Sequence, residues 1–163
     1  MIELREITIL DSNVKECIEL EVLPEQTEFV SHNASSLGQA YALNSERGLG
    51  SKAVAYTIYA DERMVGFIMY AFFNPKYEDD FNEGMDYYYF WRFMVDKNHQ
   101  GKGYGRAAMT QVINEIKQKP CGEAEHCYIS YEPNNPMKKF YESFGFEETG
   151  QVNCGENVAK MKL

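Results

Sequence analysis

The feature that most constrains the fold is an apolar run that leads straight into alternate glycines. Tyr87-Tyr88-Tyr89-Phe90-Trp91-Arg92-Phe93-Met94-Val95 is aromatic or aliphatic at every position except Arg92. A strand of this kind is normally covered on both faces, which predicts a central strand between two layers. Asp96-Lys97-Asn98-His99-Gln100-Gly101-Lys102-Gly103-Tyr104-Gly105 follows, and then a helix to about Lys119. Ala108, Val112, Ile113 and Ile116 fall on one stripe of that helix, and Pro120-Cys121-Gly122 ends it. A buried strand, a glycine loop and an amphipathic helix in this order predict an α/β sheet. With 163 residues the chain is expected to form a single domain over residues 1–163. A unit of that size buries about 70% of its unfolded surface, so it needs neither disulfides nor a structural metal.

The remaining elements fit around that unit. Ile2–Ile9 reads as a first strand, and Asp11-Ser12-Asn13 offers cap chemistry for a short helix through Glu21. Residues 25–33 read as a loop. A second helix is expected from about Ser35 to Asn44, with Leu37, Ala40, Tyr41 and Leu43 at helical spacing. Lys52–Tyr59 and Met64–Phe73 form an antiparallel hairpin about Asp61-Glu62-Arg63. Residues 74–86 read as irregular. Ala124–Tyr131 is a strand, 136–144 a helix stopped by Gly145, and Val158–Leu163 a short final strand. The expected order is β-α-α-β-β-β-α-β-α-β, a mixed, mostly antiparallel sheet flanked by helices.

Charge and composition exclude several classes of function. Sixteen basic against 25 acidic residues give a net charge of −9, which disfavours binding to nucleic acid or anionic lipid. A cationic substrate is compatible with it. Apolar residues at 44% argue against disorder. No run approaches the roughly 20 apolar residues of a membrane span. Charges at Glu3, Arg5 and Glu6 argue against a signal peptide. Cys17, Cys121, Cys127 and Cys154 form no CxxC pair, and His32, His99 and His126 are scattered, so no metal site is expected. Free thiols in a cytoplasmic protein are the expectation.

Alternate glycines permit positive φ and close approach of a ligand to the backbone, and a following helix start presents N–H groups to an anion. A phosphate-binding P-loop requires GxxxxGK[ST], but Lys102 is followed by Gly103. A dinucleotide fingerprint can be forced as Gly103-x-Gly105-x-x-Ala108, but no acidic ribose partner follows a subsequent parallel strand. Gln100-x-x-Gly103-x-Gly105 instead matches the Q/R-x-x-G-x-G/A pyrophosphate signature of the GNAT superfamily of N-acetyltransferases. Asn134-x-x-Met137-x-x-Phe140-Tyr141-x-x-x-Gly145-Phe146 resembles a second segment of that superfamily. The Trp-Arg-Phe-Met-Val-Asp, Ser-Tyr-Glu-Pro-Asn and Tyr-Glu-Ser-Phe-Gly-Phe stretches look more specifically like bacterial diamine and polyamine acetyltransferases.

The resemblance implies acetyl-CoA as the cosubstrate. Its pantetheine arm would lie along the backbone of Phe93, Met94 and Val95, where N–H groups also polarise the thioester carbonyl. Its pyrophosphate would sit on Gln100, Gly101, Lys102, Gly103, Tyr104 and Gly105, with Lys102 and Arg106 adding charge. Asn134 would help to hold the arm. Tyr141 would protonate the departing thiolate. A homodimer is implied only by analogy.

An amine like that of lysine is almost wholly protonated at neutral pH, so attack needs a base or a water relay. Some relatives carry a glutamate on the fourth strand, but residues 87–95 contain no carboxylate. That leaves the base unassigned, with Glu132 one candidate. The small-molecule acceptor is expected between loop 21–36 and segment 74–86. The latter holds Glu78, Asp79, Asp80, Glu83 and Asp86, and the former Glu21, Glu25 and Glu28. Glu28, Glu83, Asp86 and Glu132 are the acceptor-site candidates. Carboxylates beside tyrosines suit a polycation such as spermidine or spermine. An aminoglycoside, amino acid or protein N-terminus as acceptor, or a non-catalytic CoA-binding module, remain the alternatives.

Overall fold

The structure is a computed structural model that describes residues 1–10, 13–46, 50–74 and 84–163. Among the described residues seven strands form one sheet in the order β1-β2-β3-β4-β5-β7-β6. They are β1 (Ile2–Glu6), β2 (Lys52–Ala60), β3 (Arg63–Phe73), β4 (Tyr87–Val95), β5 (His126–Tyr131), β6 (Glu147–Asn153) and β7 (Glu156–Lys162). The helices are α1 (Asn13–Glu19), α2 (Asn33–Ser45), α3 (Tyr104–Ile116) and α4 (Lys138–Glu142), with a 3-10 turn at Pro24–Gln26. All neighbouring strands are antiparallel except β4 and β5.

Two apolar layers sandwich the sheet. On one face Ile68, Tyr70, Phe72 and Tyr88 pack against Ala108, Met109, Val112 and Ile116 of α3. On the other, Phe67, Met69, Ala71 and Phe73 pack with Cys17 of α1 and Ala40 and Leu43 of α2. Alternate side chains of β3 thus enter opposite layers, and every β3 residue after Arg63 is buried. Glu115 ties α3 to the sheet, accepting hydrogen bonds from Tyr70 at 2.6 Å and Tyr56 at 2.8 Å.

Hairpin β2–β3 turns on Asp61 and Glu62, both at positive φ (49° and 63°). That backbone matches the right-handed twist of a two-residue hairpin. Cys154 and Gly155 do the same for β6–β7. The four cysteines are unpaired thiols.

Strand β4 is the middle strand, as expected, with Tyr88 and Phe90 in one layer and Tyr87 and Met94 in the other, although Trp91, Arg92, Phe93 and Val95 are only half-buried and β3 is more fully covered. Three expectations need correction. A seventh strand, β6, precedes the final one. Its sequence EETGQVN carries no apolar alternation, because it is a solvent-facing edge strand held by pairing to β7. Tyr41 is 77% exposed and is not part of the buried stripe of α2. The first strand ends at Glu6, not Ile9: the Asn13 amide there takes over local pairing, donating to Glu6 O and accepting from Thr8 N–H. Residues 11–12 of the expected helix cap lie outside the described residues. His32 caps α2, accepting from Ala34 N–H at 3.2 Å.

Candidate active site

Strands β4 and β5 begin as partners and then part. Their parallel pairing is confined to Tyr88↔Cys127 and Tyr89↔Tyr128. On its other edge β4 stays paired to β3 as far as Val95, with Trp91 as an extra residue in a bulge between Phe90 and Arg92. A bulge bends its strand and re-aims side chains. The edge of β4 from Phe90 to Val95 therefore faces a cleft of about 660 Å³. The glycine loop, the loop after Val22, the end of β5 and the α4 segment form its other walls.

The glycine loop has the backbone geometry that an anion cradle needs. Gly101 and Gly103 have φ of +75° and +79°, and a Cβ on either would point into open space. Gly103 is the N-cap of α3, so the first N–H groups of a 13-residue helix open beside it. Gly105 serves packing: a Cβ there would lie 3.1 Å from the Phe93 ring. Arg106 reaches Ser143 Oγ at 3.1 Å and lies over the Phe140 and Phe144 rings.

Two side chains hold this loop against the end of β4. Gln100 donates to Val95 O at 2.9 Å and exchanges amide hydrogen bonds with Gln26 at 2.8 and 3.3 Å. Asp96 accepts from the backbone N–H of Glu21 and Asn98 and contacts His99 Nδ1 at 3.2 Å. Burial pushes the Asp96 carboxyl up, but those hydrogen bonds outweigh it and hold the group below the usual aspartate range. Asp96→Ala is expected to cost about 2–4 kcal/mol in urea unfolding, since two N–H groups lose their acceptor. With a depressed folded pKa, the wild-type contribution is full above the unfolded pKa. It is lost as pH falls through the lower folded value. In the Ala variant that acid-side loss is expected to be smaller.

Tyr141 lies in α4, buried to 9% exposure yet lining the cleft. Its ring stacks on Tyr131 with centroids 5.7 Å apart. Burial raises its phenol to about 12, so it is a protonated donor at neutral pH. Among the described residues its hydroxyl has no hydrogen-bond partner.

The structure brings most of the candidate residues together. Phe93, Met94, Val95, Gln100, Gly101, Gly103, Tyr104, Gly105, Arg106, Tyr141, Glu28 and Glu132 all line this cleft. Three do not. Lys102 turns back to Asn98 O at 3.3 Å. Asn134 is exposed outside the lining; its neighbour Asn135 lines the cleft and accepts from Met137 N–H. Asp86 lines a separate cavity near His126. Glu78, Asp79, Asp80 and Glu83 lie outside the described residues.

Sequence reasoning missed Gln26, Tyr89, Arg92, Ser130 and Glu156 as cleft residues. Arg92 was the one signal available, a lone charge in an apolar strand. Its half-buried guanidinium donates to Trp91 O and Gln39 Oε1, while its Nε has no partner among the described residues. Desolvation lowers its pKa.

The donor set fits an acyl-CoA thioester: an unpaired strand edge for an amide-rich arm, a glycine cradle for the pyrophosphate, and a protonated phenol for a leaving thiolate. Fold and cleft together define an acyl-CoA-dependent acyltransferase. The model of the Acetyltransferase (GNAT) family matches residues 16–146, and the chain belongs to that family. It is an acetyl-CoA-dependent N-acetyltransferase. The chain is 27% identical over 95% of both sequences to a "Probable spermine N(1)-acetyltransferase" of Bacillus subtilis subsp. natto. It is 26% identical, with the same coverage, to the "Spermine/spermidine N(1)-acetyltransferase" of Bacillus subtilis strain 168. The PaiA N-acetyltransferase of Thermoplasma acidophilum, solved with coenzyme A, shares its fold with a TM-score of 0.66 at 16% identity. That alignment covers 100% of this chain and 99% of the other. Among the described residues no helix is long and apolar enough to cross a membrane.

Proposed function

We propose that the chain transfers acetyl from acetyl-CoA to a primary amine of a small polycation such as spermidine or spermine. The observation that carries this reading is the composition of the cleft. Glu28, Glu132 and Glu156 line it together with the aromatic Phe29, Tyr89 and Trp91. Carboxylates give Coulomb attraction to a flexible polyamine, and aromatic faces add cation–π contact. The net charge of −9 adds long-range attraction, and the names of the two Bacillus subtilis relatives point the same way.

In this reading the pyrophosphate rests on Gly101–Gly105 and the pantetheine arm pairs with the Phe93–Val95 edge. An N–H of that edge polarises the thioester carbonyl. The neutral amine attacks, the C–S bond breaks, and Tyr141 protonates the sulfur.

Thiol release from acetyl-CoA, measured against spermidine, spermine, an aminoglycoside, an amino acid and a peptide N-terminus, tests the proposal. Spermidine or spermine is expected to give the highest kcat/KM. Its KM should rise from about 0.05 to 1 M salt, because the Debye length falls to about 3 Å. A faster aminoglycoside or peptide would reassign the acceptor. Thiol release with none of them would favour a CoA-binding module without turnover.

A further inference from the structure

The fourth strand supplies no carboxylate to deprotonate the amine, but the tertiary structure brings one to it from the far end of the chain. Glu156, the first residue of β7, lines the cleft. Ser130 on β5 donates its hydroxyl hydrogen to Glu156 Oε2 through a short contact. Ser130 Oγ is in turn 2.5 Å from the hydroxyl of Tyr89 on β4. The three residues cross the point at which β4 and β5 separate, since Tyr89↔Tyr128 is the last parallel pair.

The direction of these bonds is fixed by chemistry. A carboxylate only accepts, so the one Ser130 hydrogen goes to Glu156. Ser130 must then accept from Tyr89, and the Tyr89 oxygen can meet a further group only as an acceptor. The chain is polarised to move a proton from Tyr89 through Ser130 to Glu156. We propose that Tyr89, Ser130 and Glu156 form the proton relay that neutralises the attacking amine.

The step balances. The ammonium N–H bond breaks and its proton goes to Tyr89 Oη. Tyr89 passes its own proton to Ser130 Oγ, and Ser130 passes its proton to Glu156, which becomes a carboxylic acid. The freed nitrogen lone pair forms the C–N bond, and the C–S electron pair leaves on sulfur with the Tyr141 proton. The proton left on the new amide nitrogen restores Tyr141, and Glu156 returns its proton to solvent.

Among the described residues Arg92 on β4 is a cationic group facing the relay, since its guanidinium feels the charges of both Tyr89 and Glu156. Glu28 and Glu132 line the same cleft from the loop after the 3-10 turn and from the end of β5. Asn157 and Asn153, beside and across from Glu156, are uncharged. Tyr89 would take the proton from the substrate, and Ser130 and Glu156, which also line the cleft, would receive it in turn.

The inference rests on acetyl transfer to an amine, not on which amine, and the test separates the two. The fastest acceptor of the amine panel is used, so a change of acceptor leaves the relay test intact. Profiles of kcat/KM against pH from about 6.5 to 10 are compared for wild type, E156Q and S130A, with CoA affinity measured by calorimetry. Both variants are expected to lose about 10²-fold or more at pH 7. The deficit should close to within about threefold near pH 10, where the free amine is already abundant. CoA affinity should not change. S130A keeps the Glu156 charge, so a deficit in E156Q alone would make Glu156 an attractor of cations and overturn the relay. Parallel profiles with a constant deficit, or wild-type rates at pH 7, would overturn it as well.

Discussion

Replacing Tyr141 with phenylalanine is expected to lower kcat by about 10²–10⁴-fold and to leave the Kd for CoA unchanged. The substitution removes one oxygen and keeps the ring that stacks on Tyr131 and meets the Phe140 edge. The hydroxyl has no hydrogen-bond partner among the described residues, so its loss leaves no orphaned group. Stability should change by less than about 1 kcal/mol, which separates chemistry from folding. The pH dependence follows from the raised phenol. At about 12 it remains protonated well past the ordinary tyrosine value. The wild-type rate should therefore show no alkaline fall from this group below about pH 10. Its stabilising effect on the fold, present below the unfolded pKa, is lost as pH rises from that value through about 12. Saturating thiol-release kinetics and calorimetry check both parts; an unchanged kcat would remove Tyr141 from the chemistry.

Gly103→Val should abolish tight cofactor binding while sparing the fold. Gly103 has φ of +79°, and a Cβ added there would meet nothing within 4 Å, so the substitution brings backbone strain but no clash. A β-branched residue at positive φ costs of order 1–3 kcal/mol. The added methyl groups would occupy the space beside the first N–H groups of α3. Two charge-assisted hydrogen bonds lost there amount to about 3–5 kcal/mol, or roughly 10²–10⁴-fold in Kd. Gly150→Val supplies the control. Gly150 also has positive φ and open surroundings, but it lies in β6, outside the cleft. Both variants should lose similar stability, and only Gly103→Val should lose CoA affinity in calorimetry. Wild-type affinity in folded Gly103→Val would overturn the cradle.

The β2–β3 hairpin, the α3 stripe and the strand–loop–helix unit were all legible, because each is written in local periodicity and turn chemistry. Ala108, Val112, Ile113 and Ile116 repeat at helical spacing and are all buried. The glycines that make the cradle are close together in the chain, and so is the Phe140-Tyr141 pair that places the phenol. Strand β6 was not legible. Apart from exposed Val152 it has no large apolar residue, and only the sheet edge of β7 makes it a strand. Tyr41 showed the limit of periodicity, since apolar spacing alone does not say which positions of α2 meet the sheet.

The sequence by itself determined the family, the strand–glycine loop–helix unit and the place of Tyr141 beside it, since each rests on residues close together in the chain. The tertiary structure decided where β4 parts from β5, and with it the cleft, because a bulge at Trp91 and a truncated parallel ladder have no local signal. It also decided which distant polar groups meet in the cleft. Gln26 pairs with Gln100 and Ser130 bridges Tyr89 to Glu156 across separations of 74, 41 and 26 residues. Contacts of that range depend on strand order and register, which no stretch of sequence specifies alone.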